Sequence, residues 1–216
     1  MQLHVQAAAE LHSKPPPCET RAGDFSFYCY AGTLLGMTLG THITVGVAAA
    51  SPFLVGPLSS SPIAPLGAFA LAVASHYAVD MIPHWDWPIQ SIENKTPNFL
   101  DGRVRSRGAV ANDLAIAVID MSIGVLAVAF AVAIAGISLP LGILCAAIIA
   151  SVLPDALQLV YFLYKKEPMI THQAFHSRVH TKVRIPSNEV MRGVLLQSPV
   201  FLLPLVGIVL TAEFFG

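Results

Sequence analysis

The stretch SHYAVDMIPHWDW, residues 75–87, closes a long apolar run with four side chains of the kinds that bind metal ions, His76, Asp80, His84 and Asp86. The first three are spaced four residues apart, so an α-helix would present them on one face. Pro83 is expected to stop that helix. The stretch therefore predicts an apolar helix whose polar side chains are concentrated at its end.

The composition around this stretch is that of an integral membrane protein. The chain has 216 residues, of which 55% are hydrophobic and only 12% charged, and its mean hydropathy is +0.66. An ordinary soluble domain is about 25% charged. The net charge of −1 predicts no nucleic-acid partner, and the three cysteines suggest no disulfide framework. We therefore expect an all-α, polytopic helical membrane protein.

Five apolar segments are candidates for transmembrane helices, at 43–59, 64–82, 113–136, 139–163 and 190–213. The third is expected to begin after an N-cap at Asn112, and the fourth after Ser138 with Pro140 in its first turn. The first is short and is interrupted by Pro52 and Pro57, so it could instead be re-entrant or interfacial. The prediction is about five transmembrane helices.

The positive charges predict how the chain crosses the membrane. If the segments alternate in direction, the two long connections, 83–112 and 164–189, lie on the same side as the N-terminus. All twelve lysine and arginine residues fall on that side or at its interface. By the positive-inside rule this side is cytoplasmic, which places the protein in the plasma (inner) membrane with its N-terminus inside.

The N-terminal residues 1–36 are expected to form no part of the membrane domain. They are mostly polar or small, include three consecutive prolines, and lack the pattern of a signal peptide. The segment MTLGTHITVG, which starts at Met37, looks like a natural start. We interpret 1–36 as a disordered tail or a misassigned start, and 37–216 as the helical membrane domain.

Ionisable side chains from several segments are expected to meet near the cytoplasmic ends of the spans. At about 1.5 Å per residue, His76 lies roughly 9 Å, and Asp120 and Asp155 roughly 12 Å, inside the ends of their segments. An ionised carboxylate at the centre of a bilayer costs about 2.5–3.5 kcal/mol. No lysine or arginine occurs deep in the spans, so histidine and a bound cation are the available counter-charges. Mixed imidazole and carboxylate ligation suits zinc, manganese or iron.

Each of these side chains also has a purely structural interpretation. The spacing of His76 and Asp80 could be a hydrogen bond at a helix end, and Asp155 could serve the turn opened by Pro154. Asp120 could be an interhelical hydrogen-bonding group. His172, His176 and His180 would share a face if their loop is helical, but could be merely solvated.

Four segments, THITVGVAAA, SHYAVDMIPHWDW, LPDALQ and HQAFHSRVH, together resemble a bacterial family of inner-membrane, metal-dependent hydrolases that is also described as LexA-binding. More distantly, the histidine-aspartate helix motif resembles the zinc-dependent phospholipase C fold, a helical bundle with clustered His and Asp ligands. The resemblance covers about residues 37–185. It implies that the metal ligands are His42, His76, Asp80, Asp155, His176 and His180, with His84 and Asp120 as further candidates. After Asp155 the sequence continues Ala-Leu-Gln, which argues against a multinuclear centre.

We expect a divalent metal ion, zinc in the first instance, and hydrolysis of a phosphoester or related bond. Membrane lipid is the expected partner, because the site would open at headgroup level. The metal would activate water, and Asp120 or His180 would act as the base. A small cation or proton carrier and a scaffold with a structural metal are the alternatives. A carrier needs a polar path to the outer side, whereas the outer halves of the spans are almost entirely apolar.

Overall fold

The structure is a computed structural model and describes residues 38–55, 57–85, 89–93, 102–181, 184–185 and 189–215. The predictions for residues 1–36, Asp86 and Trp87 lie outside the described residues. Seven α-helices occur in the described part, α1 Leu39–Ala49, α2 Ser51–Leu54, α3 Ala64–Asp80, α4 Arg107–Ala135, α5 Leu141–Tyr164, α6 Met169–Val179 and α7 Val190–Phe215. A 3₁₀ turn, Pro57–Ser60, lies between α2 and α3. The predicted helical class is confirmed.

Three helices, α4, α5 and α7, are long and apolar enough to cross a membrane. Their outer surfaces carry many exposed large apolar side chains, such as Ile119, Phe130 and Leu203. Helix α1 has 11 residues and α3 has 17. At 1.5 Å per residue these helices are about 16 and 26 Å long, short of the roughly 30 Å hydrocarbon core. The protein thus has the character of a membrane protein, with three helices of full spanning length among its described residues.

Helix α1 is the central element of the bundle. It packs against α3, α4, α5 and α7, and most of its residues are buried. Small residues permit this close packing. A Cβ atom on Gly124 of α4 would lie 2.6 Å from the Cα of Gly40, and one on Gly46 would lie 2.5 Å from the Cβ of Ser151 in α5. The first apolar segment therefore forms the inside of the bundle rather than its wall.

Several helix boundaries differ from those predicted. Helix α4 begins at Arg107, and its N-cap is Ser106, whose hydroxyl accepts from the Ala109 amide at 3.1 Å, so the predicted cap at Asn112 was wrong. Helix α5 begins at Leu141 with Pro140 as its N-cap, so Ser138 is not the cap either. Helix α1 begins four residues before the predicted 43, because Leu39, Gly40, Thr41 and His42 are buried and tertiary packing stabilises the helix despite the low helix propensity of glycine and threonine.

The two long connections contain short strands that tie them together. The strands are β1 His84–Trp85, β2 Ile92–Glu93, β3 Arg103–Val104 and β4 Arg184–Ile185. Strand β1 pairs in parallel with β4, and β2 pairs antiparallel with β3. Because β1 lies in connection 83–112 and β4 in connection 164–189, the two connections meet at the same end of the bundle.

Two further contacts fix this end. The carboxylate of Asp113, near the start of α4, accepts from the backbone amides of Gln90 at 3.1 Å and Ser91 at 2.7 Å. The backbone amide of Thr181, just after α6, donates to the carbonyl of Asp80 at 2.8 Å. The end of α3 is thereby held against the end of α6, where the predicted polar residues lie.

Candidate metal centre

Five of the predicted ligands converge in the interior from four different helices. His42 lies on α1, His76 and Asp80 lie on α3, Asp155 on α5, and His176 on α6. Each is at most 1% exposed. The segment that carries His172 and His176 is helical, which is the condition under which the sequence would place them on one face, and His180 is the C-cap of that helix. His42 is the fourth residue of α1 and is fully buried.

The carboxylate of Asp80 is the centre of this group. Its Oδ1 lies 3.4 Å from Nε2 of His42, and its Oδ2 lies 3.2 Å from Nε2 of His76 and 2.9 Å from Nε2 of His176. Oδ1 of Asp155 lies 3.8 Å from the Nε2 atoms of both His76 and His176. Two donors that bind one zinc ion tetrahedrally at 2.0–2.2 Å are about 3.3–3.6 Å apart. The observed separations bracket that value.

Several buried ligand atoms in this group have no hydrogen-bond partner, and a bound cation would satisfy them. Among the described residues, buried side-chain atoms without a hydrogen-bond partner include both nitrogens of His42, Nε2 of His76, both oxygens of Asp80 and Oδ2 of Asp155. The short distances from Asp80 to His42 and His76 therefore do not have the geometry of N–H···O hydrogen bonds. Buried polar atoms without partners are rare in proteins. The chemistry of this donor set fits a divalent metal ion.

Second contacts orient the ligands. Nδ1 of His76 lies 2.7 Å from the carbonyl oxygen of Ser151, which assigns the proton to Nδ1 and directs the Nε2 lone pair toward the carboxylates. Ser151 precedes Pro154 by less than one turn of α5, and the helix continues through that proline. Pro154 frees the carbonyl of Ala150 rather than that of Ser151, so the acceptor for His76 is a backbone carbonyl of α5 that the proline does not expose.

The candidate ligands form three overlapping sets, in each of which one ligand atom per residue lies within 4.8 Å of the others. The sets are His42, His76 and Asp155; His76, Asp80 and His176; and Asp80, His84 and His180. The rings of His84 and His180 are 4.7 Å apart between centroids. Nδ1 of His84 donates to the carbonyl of Ile82 at 2.6 Å, which makes its Nε2 the candidate ligand atom. The chain thus supplies more donors than one tetrahedral ion needs.

Two glutamines that the sequence analysis did not single out support Asp155. The amide of Gln158 donates to Oδ1 of Asp155 at 2.8 Å, and the amide of Gln173 donates to Oε1 of Gln158 at 3.1 Å. Both glutamines are buried. Gln158 lies three residues after Asp155, on the same face of α5. A neutral amide at that spacing in an apolar helix is the sequence signal that could have identified Gln158 as a partner of Asp155.

His172 lies beside the cluster rather than in it. Its Nε2 is 3.2 Å from the hydroxyl of Tyr77, whose ring contacts the rings of His76 and His176 edge-on. Burial, together with the neighbouring His176 and His76, holds the pKa of His172 below its ordinary value. The His172 ring is therefore neutral at pH 7 and adds no positive charge beside the metal ligands.

Asp120 does not join the cluster. Its carboxylate accepts from the backbone amide of Gly40 at 3.2 Å, at the first turn of α1. A helix N-terminus favours a carboxylate, because its first amide groups have no partner within the helix. This placement corresponds to the interhelical hydrogen-bonding interpretation of Asp120 and does not support its expected role as the base.

Among the residues that the structure describes, Asp80 and Asp155 have no lysine or arginine partner. Within the described part of the chain, the side chains that form ion pairs with Asp80 and Asp155 are all histidines. An uncompensated buried charge costs several kcal/mol, which histidine alone offsets only by taking up protons.

The chain matches no family model, no curated protein and no solved structure. The family resemblance therefore rests on the four sequence segments alone.

Proposed function

We propose that the protein is a membrane-embedded, metal-dependent hydrolase that cleaves a phosphoester or related bond at the cytoplasmic face. The observation that carries the proposal is the set of buried imidazole and carboxylate atoms around Asp80 that have no hydrogen-bond partner. Such a set is costly to bury, and a bound cation is the simplest group that satisfies all of its members at once. The proposal agrees with the function implied by the family resemblance.

The number of donors favours catalysis over a purely structural metal. A structural zinc site is closed by four protein ligands, whereas this centre offers seven residues, His42, His76, Asp80, His84, Asp155, His176 and His180. The set His42, His76 and Asp155 shares no residue with the set Asp80, His84 and His180, so we infer that the centre has donors for up to two divalent ions. A divalent ion bound there supplies Lewis acidity for a phosphoryl oxygen and lowers the pKa of water.

The chain's own residues have separate tasks in this proposal. Asp80 belongs both to the set with His76 and His176 and to the set with His84 and His180, and the Gln158 amide fixes the orientation of Asp155. With a single ion held by the inner residues, His180, which is 9% exposed at the edge of the cluster, would move a proton from water to the leaving group. Its Nδ1 lies 3.2 Å from the carbonyl of Thr181, which makes Nε2 the nitrogen for that role.

We further propose that five segments cross the membrane and that the centre lies on the cytoplasmic side. In addition to the three long helices, α3 and the segment formed by α1 and α2 would cross, with their shorter lengths accommodated inside the bundle. The parallel pairing of β1 with β4 supports this arrangement, because it joins the two connections that carry most of the positive charge.

Cysteine labelling tests this topology. Glu93 lies in the connection between α3 and α4, Ser138 lies between α4 and α5, and both are exposed. In a cysteine-free background and intact cells, a membrane-impermeant maleimide is expected to label the Ser138→Cys variant and to label Glu93→Cys only after permeabilisation. The opposite pattern would place the centre on the outer side.

Metal content and turnover of the purified protein test the hydrolase assignment. We expect the detergent-solubilised full chain to contain zinc and to hydrolyse a chromogenic phosphodiester. A chelator is expected to abolish this activity, and added zinc to restore it, while added magnesium serves as the control ion because it binds poorly to imidazole. Bound zinc without turnover of phosphodiesters or phosphomonoesters would instead assign the metal to a scaffold.

A further inference from the structure

A cavity of about 390 Å³ lies between α4 and α5, directly beside the metal centre. Asp155 forms part of its wall, together with apolar side chains that include Ala117 and Met121 of α4 and Val152 and Leu159 of α5. Its volume falls within the range of about 300–1,000 Å³ that is typical of pockets for small molecules. The cavity is therefore large enough for part of a substrate whose reacting group lies at Asp155.

The lining of the cavity is suited to hydrocarbon rather than to water. Its polar residues are Ser91, Asp113 and Asp155. The carboxylate of Asp113 already accepts from the amides of Gln90 and Ser91. Oδ1 of Asp155 accepts from Gln158, and its Oδ2, which is buried without a hydrogen-bond partner, belongs to the candidate metal centre. A water molecule needs two to four polar partners, so such a cavity favours an apolar occupant.

The cavity also reaches the apolar surface of the bundle. Leu114 and Ala156 line it, and both are exposed on the molecular surface. They belong to α4 and α5, two of the helices that are long enough to span a membrane. A hydrocarbon chain could therefore pass from the lipid phase into the cavity without crossing a polar barrier.

We propose that this cavity binds an acyl chain, so that the substrate class is a membrane lipid whose phosphoester lies against the metal centre while one chain lies between α4 and α5. This inference rests on the proposed function for the identity of the scissile bond. The binding of the chain itself depends only on the cavity. Asp155 joins the chain pocket to the reacting group.

A matched pair of substitutions on one helix tests the proposal. Ala117→Phe places a ring inside the cavity, whereas Ala115→Phe places the same ring on the exposed side of α4. The full chain is reconstituted in phosphatidylcholine vesicles that contain a phospholipid with a photoreactive diazirine in one acyl chain, and adducts are located by mass spectrometry. We expect adducts at Val152 and Leu159 in the native protein and in Ala115→Phe, and a loss of about tenfold or more in Ala117→Phe.

Zinc content shows whether each variant is folded, and Ala156→Phe, which enters the cavity from α5, replaces Ala117→Phe if that variant fails to fold. Adducts at Val152 and Leu159 that survive both fillings, or that never form, would overturn the acyl-chain assignment. Hydrolysis is measured in parallel with a long-chain phospholipid and a soluble phosphodiester. Cavity adducts without any hydrolysis would leave the chain pocket in place and refute the proposed function, whereas hydrolysis without cavity adducts would do the reverse.

Discussion

Asp80→Asn is expected to remove most of the bound zinc and to reduce hydrolysis by more than about 100-fold, because this carboxylate belongs to two of the three ligand sets. The amide keeps the size of the side chain but lacks the charge that offsets a divalent ion. His42→Ala affects one set only, so its loss of zinc is expected to be smaller. Metal analysis of the purified variants, together with their rates on the chromogenic phosphodiester, checks both expectations.

Asp120→Asn is the matched control for Asp80→Asn. It makes the same chemical change at a carboxylate that contacts the backbone amide of Gly40 and none of the histidines in the cluster. Its zinc content and activity should therefore stay close to those of the native protein. Normal zinc with lost activity in Asp120→Asn would restore the catalytic base expected from the sequence. Full zinc occupancy in Asp80→Asn would refute the arrangement of ligands around that carboxylate.

The members of the centre were predictable because two independent signals coincide in them. The four-residue spacing of His76 and Asp80 places both on one face of α3, whereas His84 lies beyond the end of that helix in β1, so the expected shared face holds for two of the three residues. The apolar context makes an unpaired carboxylate costly. Neither signal depends on knowledge of the fold. The pairing of β1 with β4, which joins the connections that carry the remaining histidines, has no comparable signal in its two short strands.

Asp120 shows that the depth of a residue along a helix does not determine which neighbours its side chain contacts. The rise per residue places Asp120 and Asp155 at similar levels, but the direction of each side chain depends on how its helix packs. Asp155 faces α3 and α6, whereas Asp120 faces the start of α1, where a backbone amide satisfies it. Because helix termini offer unpaired amide groups, a buried carboxylate has an alternative to a cation that the sequence does not display.

The possibility of two ions depends on long-range contacts in the same way. The residues directly after Asp155, Ala-Leu-Gln, include no further acid or histidine, and the additional ligands come instead from His84 and His180, which are 96 residues apart in the sequence. The backbone hydrogen bond between Thr181 and Asp80 brings them together. The N-caps Ser106 and Pro140 were not predicted for a different reason. Hydrophobic periodicity marks the buried face of a helix and not its ends.

Removal of zinc is expected to lower the stability of the folded protein by about 3–5 kcal/mol, the usual cost of leaving a buried charge without its partner. Asp80 and Asp155 are at most 1% exposed, so water cannot replace the ion without opening the bundle. For a chain of this size the loss corresponds to a fall in melting temperature on the order of 10 °C. Thermal unfolding in detergent, with zinc and after chelation, measures it.

Two variants show whether this loss of stability originates in the metal centre. Asp155→Asn removes one of the buried charges, so the difference in melting temperature between its zinc-bound and chelated forms should be smaller than in the native protein. Asp113→Asn alters another buried carboxylate, which instead accepts from the amides of Gln90 and Ser91, so its response to chelation should match that of the native protein. Equal melting temperatures with and without zinc in the native chain would mean that the carboxylates are compensated by protons, and the centre would then not require a cation.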